Sequence, residues 1–288
     1  HSIDDFKRIK EQQLPQLAEE IRSFLVERVS HTGGHLASNL GVVELTIALH
    51  RGFNSPVDKI LFDVGHQAYV HKILTGRAAE FDGLRQKNGI SGFPKRSESP
   101  HDAFGTGHAS TAVSAALGIL RAEQMLGGCG SVVAVLGDGA LTGGLCFEGL
   151  NDAGQSKQPL IVVLNDNDMS ISHNVGAVNR HLNRRRPSRS YQRFKHNTAE
   201  FLQRLPKVGV RLFGNALRLK NRIKYFLIPN VLFEEMGFTY LGPVDGHDLM
   251  ALTEVLARAK QLDCPVMIHA VTKKGKGYAL AEQNPEKF

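Results

Sequence analysis

The sequence predicts an α/β fold in which a doubly wound, mostly parallel sheet carries helices on both faces. Two apolar runs, residues 131–136 and 160–164, are continuous and rich in β-branched side chains, as expected of parallel strands that are covered on both sides. A helical pattern over residues 145–153 lies between them, which completes a β-α-β unit. A second β-α-β pattern follows over residues 238–242, 249–259 and 266–270.

The earlier part of the chain supplies further elements. Residues 17–29 have the apolar spacing of an amphipathic helix, which a glycine-rich break at 32–35 terminates. Residues 42–49 and the alanine-rich residues 110–126 are also predicted to be helical. The short apolar run at 60–64 precedes a Gly-His pair, which is typical of a buried strand and its turn.

Composition excludes several classes of protein. The chain has 288 residues, of which 42% are hydrophobic and 22% charged, so global disorder is excluded and a sizeable core is expected. No apolar run approaches the roughly 18 residues of a membrane span, and the first residues lack the pattern of a signal peptide. The three cysteines have no CxxC spacing, which favours a reducing, cytoplasmic compartment. We therefore expect a cytoplasmic globular protein with no membrane partner.

The net charge of +7 comes from one segment. Between Arg180 and Lys224 there are 14 lysines and arginines and a single acid, Glu200, whereas the rest of the chain is mildly acidic. Such a segment is compatible with a nucleic acid, an anionic membrane surface or a phosphorylated ligand. Because it contains no recognisable nucleic-acid-binding module, we favour a solvated insertion at about 180–230 that is part of a single domain over 1–288.

The residues with the clearest chemistry follow the two strongest strand predictions. Asp138 lies between two glycines after the first, and Asn167 follows the second. Carboxyl ends of parallel strands meet at one edge of a sheet, so both oxygens are expected in one crevice, where they suit Mg²⁺ bound to a diphosphate. Taken alone, Gly-Asp-Gly is more often a simple turn. The spacing, with 27 residues between Gly139 and Asn167, instead resembles the thiamine diphosphate motif. In that motif a main-chain carbonyl two residues after the asparagine is the third metal ligand, which implies Met169 here.

Further blocks carry a wider resemblance across nearly the whole chain. They are residues 32–41 (TGGHLASNLG), 63–69 (DVGHQAY), 107–111 (GHAST), 167–172 (NDMSIS) and 273–278 (KKGKGY). In this order they resemble the amino-terminal domain of the 1-deoxy-D-xylulose-5-phosphate synthase family, in the transketolase-like superfamily of thiamine diphosphate enzymes.

The resemblance implies decarboxylation of pyruvate and its joining to D-glyceraldehyde 3-phosphate, a step towards isoprenoids, thiamine and pyridoxal phosphate, in a homodimer. It implies thiamine diphosphate and Mg²⁺ as cofactors and places His35 and His66 at the reacting carbon, where near-neutral imidazoles can move protons. The metal ligands it implies are Asp138, Asn167 and Met169. The cofactor-lining residues it implies are His66, Gly107, His108, Ala109, Gly139, Ala140, Asn167 and Tyr278.

Alternatives remain open at this point. Complete family members are longer and carry a pyrimidine-binding and a third domain that this sequence does not show, so we expect the chain alone to be inactive. It could instead be another transketolase-superfamily enzyme, or one subunit of a split enzyme. A nucleic-acid-binding protein that uses the arginine-rich segment is the alternative of a different class. His247, in a further family-like stretch, has no role that its residue type predicts.

Overall fold

A computed structural model describes residues 2–167, 231–285 and 287. In these residues one sheet has the strand order β1-β2-β3-β5-β4, and each pair of neighbouring strands is parallel. The strands are β1 Lys59–Phe62, β2 Val132–Gly137, β3 Ile161–Asp166, β4 Thr239–Asp245 and β5 Val266–Val271. The predicted parallel α/β fold is therefore confirmed.

Helices connect the strands and cover the sheet. Numbered along the described residues, they are α1 Ile3–Lys7, α2 Leu14–Thr32, α3 Leu36–Leu40, α4 Val43–Gly52, α5 Tyr69–Lys72, α6 Ala112–Met125, α7 Asp138–Leu141, α8 Gly144–Ser156, α9 Val231–Glu235, α10 Leu249–Lys260 and α11 Ala279–Gln283. Every predicted helix that lies in the described residues is present, with ends that differ by a few positions.

The longest of these helices, α2, follows from its sequence. Pro15 lies in the first turn, where its missing N–H costs no intrahelical hydrogen bond. Buried residues recur every three or four positions and form one stripe that faces the core: Leu14, Ala18, Ile21, Leu25 and Val29. The helix ends at Gly33, whose φ of 74° is a conformation that suits glycine.

Two apolar layers sandwich the sheet, because alternate residues of a strand face opposite sides. On one side, Ala134 of β2 packs in a cluster with Leu117 of α6 and Leu150 of α8. On the other side, Val133 belongs to a cluster with Leu256 of α10 and residues of α4. Helices thus cover both faces, which explains why the strand sequences are continuously apolar.

A third apolar cluster joins the helices that precede the sheet. Leu25 of α2, Leu40 of α3, Ile47 of α4 and Tyr69 of α5 are buried together in it. This layer holds the segment between α2 and α3 against the turn that follows β1. The two segments that carry the predicted histidines are therefore brought together by the packing of their helices.

None of the described helices is both long and apolar enough to cross a membrane. The basic segment at about 180–230, with its arginine cluster, lies outside the described residues, as does Met169.

Candidate active site

The carboxyl edge of β2 holds the buried carboxylate that the sequence singled out. Asp138 begins α7 directly after the strand and is only 2% exposed. Its Oδ1 accepts a hydrogen bond from the Gly139 N–H at 2.9 Å. A Cβ added to Gly137 would meet no atom within 4 Å, so there is open space beside the aspartate. A charged oxygen next to an accessible glycine backbone suits a cation that carries a phosphate group.

Asn167 lies at the same edge. It follows the last residue of β3, Asp166, and β3 is the direct neighbour of β2, with Gly137 paired to Asn165. Asn167 is half-buried. One carboxylate and one amide oxygen from adjacent strands are donors of the type that Mg²⁺ takes when phosphate and water complete its octahedron. The residues present therefore fit the implied metal in their chemistry.

A buried aspartate fixes the loop that precedes α6. Asp63 accepts hydrogen bonds from the N–H groups of Ser110 at 2.7 Å and Ala112 at 2.9 Å. The Ser110 hydroxyl donates to the carbonyl of Ala140 at 2.7 Å. The loop and the turn after β2 are therefore joined, which brings Gly107, His108 and Ala109 to the side of Gly139 and Ala140.

This loop presents its backbone to solvent. Gly107, His108 and Ala109 are exposed, and Gly107 has a φ of 151° that side chains with a Cβ rarely adopt. Sequence reasoning selected these residues but gave Asp63 no role. Its signal was its position, since an acid directly after a buried strand must find partners at the carboxyl edge.

The two predicted histidines form a pair. The ring centroids of His35 and His66 are 5.4 Å apart, and the ring planes meet edge to face at 70°. The Nδ1 atom of each ring is buried and has no hydrogen-bond partner among the described residues. A buried ring nitrogen without a hydrogen-bond partner is uncommon in folded proteins.

The environment keeps both rings neutral near pH 7. Burial, with the charges of His35 and Lys274, lowers the pKa of His66 to about 4. Burial and the positive charges of Arg85 and Lys274 lower the pKa of His35 as well. A neutral imidazole has one nitrogen that accepts and one that donates, which is the state required to move a proton in either direction.

His247 anchors the Lys273–Tyr278 segment beside this pair. Its Nε2 accepts a hydrogen bond from the Lys273 N–H at 2.8 Å, so its Nδ1 carries the proton that Glu44 Oε2 accepts at 3.1 Å. Glu44 also pairs with the buried Arg22, whose Nε donates to the Lys276 carbonyl at 3.1 Å. The family-like stretch around His247 was visible in the sequence, but this role depends on partners that are distant along the chain.

The segment also contacts the helix that follows His35. The Gly275 N–H donates to the carbonyl of Ala37 in α3 at 2.8 Å. Tyr278 is half-buried and lines a cavity of about 390 Å³ with residues of α2 and α3, including Val26 and Leu40. The structure thus brings 273–278 to the histidine side of the edge.

A buried polar chain connects the histidine turn to the strand that precedes Asn167. Asn165 is fully buried, donates to Gln67 Oε1 at 3.3 Å and accepts from the Thr272 hydroxyl at 2.5 Å. Next to it, Asp166 Oδ2 pairs with His269 Nε2 at 2.9 Å. These residues fix the ends of β3 and β5, and sequence reasoning gave none of them a functional role.

Comparisons with known proteins agree with this arrangement. A family model described as 1-deoxy-D-xylulose-5-phosphate synthase matches residues 1–272. Proteins named 1-deoxy-D-xylulose-5-phosphate synthase from Alkaliphilus oremlandii and Pelotomaculum thermopropionicum are 55% and 58% identical to the chain and align with 100% of it. The chain spans 46% and 45% of the length of these two relatives.

Solved structures are similar in fold. A transketolase from Campylobacter jejuni has a TM-score of 0.68 at 20% identity, over 97% of this chain and 40% of that one. A transketolase from Leishmania mexicana has a TM-score of 0.66 at 21% identity, over 92% of this chain and 37% of that one. At this identity the likeness establishes the α/β fold.

Proposed function

The chain belongs to the 1-deoxy-D-xylulose-5-phosphate synthase family, and from that premise we propose that it forms the part of a thiamine diphosphate enzyme that holds the diphosphate and its Mg²⁺. The observation that carries the proposal is the buried Asp138 at the open end of β2, next to the strand that delivers Asn167. In the proposed site, Asp138 and Asn167 bind the metal through side-chain oxygens, together with the Met169 carbonyl that the family motif implies.

The loop that Asp63 fixes has a defined place in this proposal. Gly107, His108 and Ala109 lie opposite Gly139 and Ala140, and we propose that the cofactor is held between these two backbones, with Tyr278 at the histidine end. The joint between Ser110 and Ala140 sets the width of this space, because it connects the two walls through one hydrogen bond of 2.7 Å.

For the activity of the complete enzyme we propose decarboxylation of pyruvate and carboligation to D-glyceraldehyde 3-phosphate. Bound thiamine diphosphate would supply a nucleophilic carbon and accept the electron pair left when CO₂ departs. The bond between C1 and C2 of pyruvate breaks, and a bond forms between C2 and the aldehyde carbon, which gives 1-deoxy-D-xylulose 5-phosphate.

His35 and His66 supply the proton transfers in this scheme. A carbonyl oxygen gains a proton when a carbon nucleophile adds to the carbonyl carbon, and loses it when the product leaves. A neutral imidazole can accept a proton at one nitrogen and donate one from the other, so it can serve both steps. We assign these steps to the two imidazole rings, whose centroids are 5.4 Å apart. We further propose that the complete enzyme is a cytoplasmic homodimer whose partners are these two small substrates and no nucleic acid.

The binding proposal is tested by calorimetric titration of the 288-residue chain with thiamine diphosphate, with and without Mg²⁺. We expect binding that needs the metal and that is lost in Asp138→Ala. Asp152→Ala is the matched control, because Asp152 is an exposed carboxylate on α8 that pairs with Arg121. Equal binding by wild type and Asp138→Ala would contradict the proposed metal site.

The activity is tested in a hybrid in which this chain replaces the matching 46% of the Alkaliphilus oremlandii relative. We expect CO₂ release from pyruvate together with product that depends on D-glyceraldehyde 3-phosphate. Ketol transfer from a ketose phosphate, without pyruvate use, would favour another transketolase-type activity. Salt-sensitive binding of nucleic acid that persists in Asp138→Ala would favour the different class of function.

A further inference from the structure

A single buried side chain, Asn39, connects the two segments that carry the histidine pair. Asn39 lies in α3, four residues after His35, and is fully buried. Its Nδ2 donates to the main-chain carbonyl of His35 at 2.8 Å and to that of His66 at 2.7 Å. Its Oδ1 accepts from the Tyr69 N–H at 2.9 Å. One amide thus joins the start of α3 to the turn after β1.

The partners dictate the residue type. Two carbonyl oxygens need two N–H donors, and one backbone N–H needs an acceptor, which is the complement of a primary amide. This set also fixes which end of the amide is nitrogen. An aspartate of the same shape would place an acceptor oxygen against two carbonyls, whereas alanine would leave these buried groups without their partner.

Tyr69 completes the connection on the other side. It is fully buried, and its hydroxyl accepts from the His35 N–H at 3.3 Å. A Cβ on Gly34 would lie 2.7 Å from this hydroxyl, so the glycine permits the close approach. His35 is therefore held at its N–H by Tyr69 and at its carbonyl by Asn39, while Asn39 also holds His66.

We propose that Asn39 is a positioning residue that sets the separation and relative orientation of the His35 and His66 imidazoles. The catalytic consequence rests on the proposed function, because it needs both rings to act on one substrate. The geometric claim stands apart from it, since both carbonyls are contacted directly by the amide. The hydrogen bonds of Asn39 to the two histidines go to their main-chain carbonyls, so its effect passes through the backbone of each histidine.

The geometric claim is tested by NMR on the chain, protonated at histidine in a deuterated background. We expect a nuclear Overhauser effect between the ring protons of His35 and those of His66, because the centroids of the two rings are 5.4 Å apart. It should be lost in Asn39→Ala and in Asn39→Asp. Thr46→Ala is the matched control, because Thr46 is a buried polar residue of the adjacent helix α4 whose hydroxyl bonds to its own helix.

Two variants keep the test decisive. Asn39→Asp preserves volume and Asn39→Ala preserves helix propensity, so the variant that retains a cooperative thermal unfolding transition is the one that is read. Should neither retain it, Tyr69→Phe removes the hydroxyl that holds the His35 N–H, and the same ring-to-ring signal is then expected to weaken and not vanish. A retained wild-type signal in any folded Asn39 variant overturns the proposal.

The catalytic consequence is tested in the hybrid enzyme. We expect Asn39→Ala to lower kcat about 10²-fold, as for misplacement of a reacting group by about 1 Å, with a smaller change in the KM for pyruvate. Thr46→Ala should retain the wild-type kcat. If the wild-type hybrid forms no product, that result counts against the proposed function and not against the geometric claim, because the NMR signal is measured without turnover. A wild-type kcat in an Asn39 variant that has lost the ring contact would show that the pairing has no catalytic role.

Discussion

Two pairs of histidines in the described residues differ in how their rings meet. His50 and His71 are stacked at 28°, with 2.9 Å between Nε2 and Nδ1, and His71 continues to Asp102 at 2.9 Å. His35 and His66 instead meet edge to face at 70°. Of the four ring nitrogens in the stacked pair, only Nδ1 of His50 lacks a partner among the described residues, whereas in the other pair both Nδ1 atoms do.

The stacked pair belongs to a buried cluster of compensated charges, and we propose a reactive role only for the other pair. Asp102 accepts from His71, twice from Arg77 at 2.8 Å and from the Lys95 N–H at 2.7 Å, so its charge is fully compensated. Next to it, the buried Lys72 pairs with Glu98 at 2.5 Å. Burial lowers the pKa of histidines in both pairs, so a lowered pKa does not distinguish them. The hydrogen bonds between the rings do distinguish them: one joins His50 to His71, and among the described residues none joins His35 to His66.

The largest expected effect comes from making the same substitution in each of the two histidine pairs. In the hybrid enzyme, His66→Asn should lower kcat about 10²- to 10⁴-fold, because it removes a general acid–base group. His71→Asn should lower the stability of the fold and leave kcat per folded molecule near the wild-type value. Steady-state rates, corrected for the folded fraction by thermal unfolding, check both. A larger loss of kcat in His71→Asn than in His66→Asn would break the distinction.

The next effect concerns the stability that comes from the buried ion pair between Asp102 and Arg77. Asp102→Asn removes the carboxylate from Arg77 and should reduce the free energy of unfolding by about 3–5 kcal/mol, since among the described residues the buried cation then keeps only the 3.5 Å ion pair with Glu98. Urea denaturation measures this. Asp152→Asn breaks an exposed pair with Arg121 and should have little effect on the free energy of unfolding. Similar losses in the two variants would contradict the assignment of the Asp102 cluster as structural.

The smallest effect is a dependence of stability on pH that comes from His66. Its pKa falls from an ordinary 6.5 to about 4 on folding, so below pH 6.5 the unfolded chain binds the proton more readily than the folded chain. Stability from neutral His66 is therefore present above pH 6.5 and is lost as the pH falls towards 4, by about 2 kcal/mol between pH 7 and pH 5.

His66→Asn should remove this part of the pH dependence, which urea denaturation at the two pH values measures. His31→Asn is the control, because His31 is exposed near the end of α2 and should keep the wild-type difference. An unchanged difference in His66→Asn would show that other groups cause the acid sensitivity.

Much of the fold was predictable because its signals are local. The apolar runs that became β2 and β3 and the stripe of α2 depend on residues a few positions apart. Asp138 and Asn167 each follow a predicted strand, which predicted that both lie at the carboxyl edge of the sheet. The structure confirms this position. The metal and cofactor roles of these residues, and the role of Met169, stay predictions.

The supporting residues were not predictable, because their roles depend on distant partners. Asn39 appears in the sequence as one polar residue among apolar ones, and only the turn after β1 reveals what it binds. Asp63 needs the loop that begins 47 positions later. The sequence does not reveal the four hydrogen bonds that the Asp102 carboxylate accepts from three residues, because a buried aspartate and an exposed aspartate cannot be told apart in a sequence.

The hydrogen bond from Arg22 to the Lys276 carbonyl joins residues 254 positions apart. Closing a chain segment of this length costs conformational entropy, and that cost must be met before the contact contributes any stability. During synthesis from the amino terminus, His35 and His66 leave the ribosome long before the 273–278 segment that packs beside them. The 273–278 segment can therefore pack beside the two histidines only after the residues of all five strands of the described sheet have been synthesised.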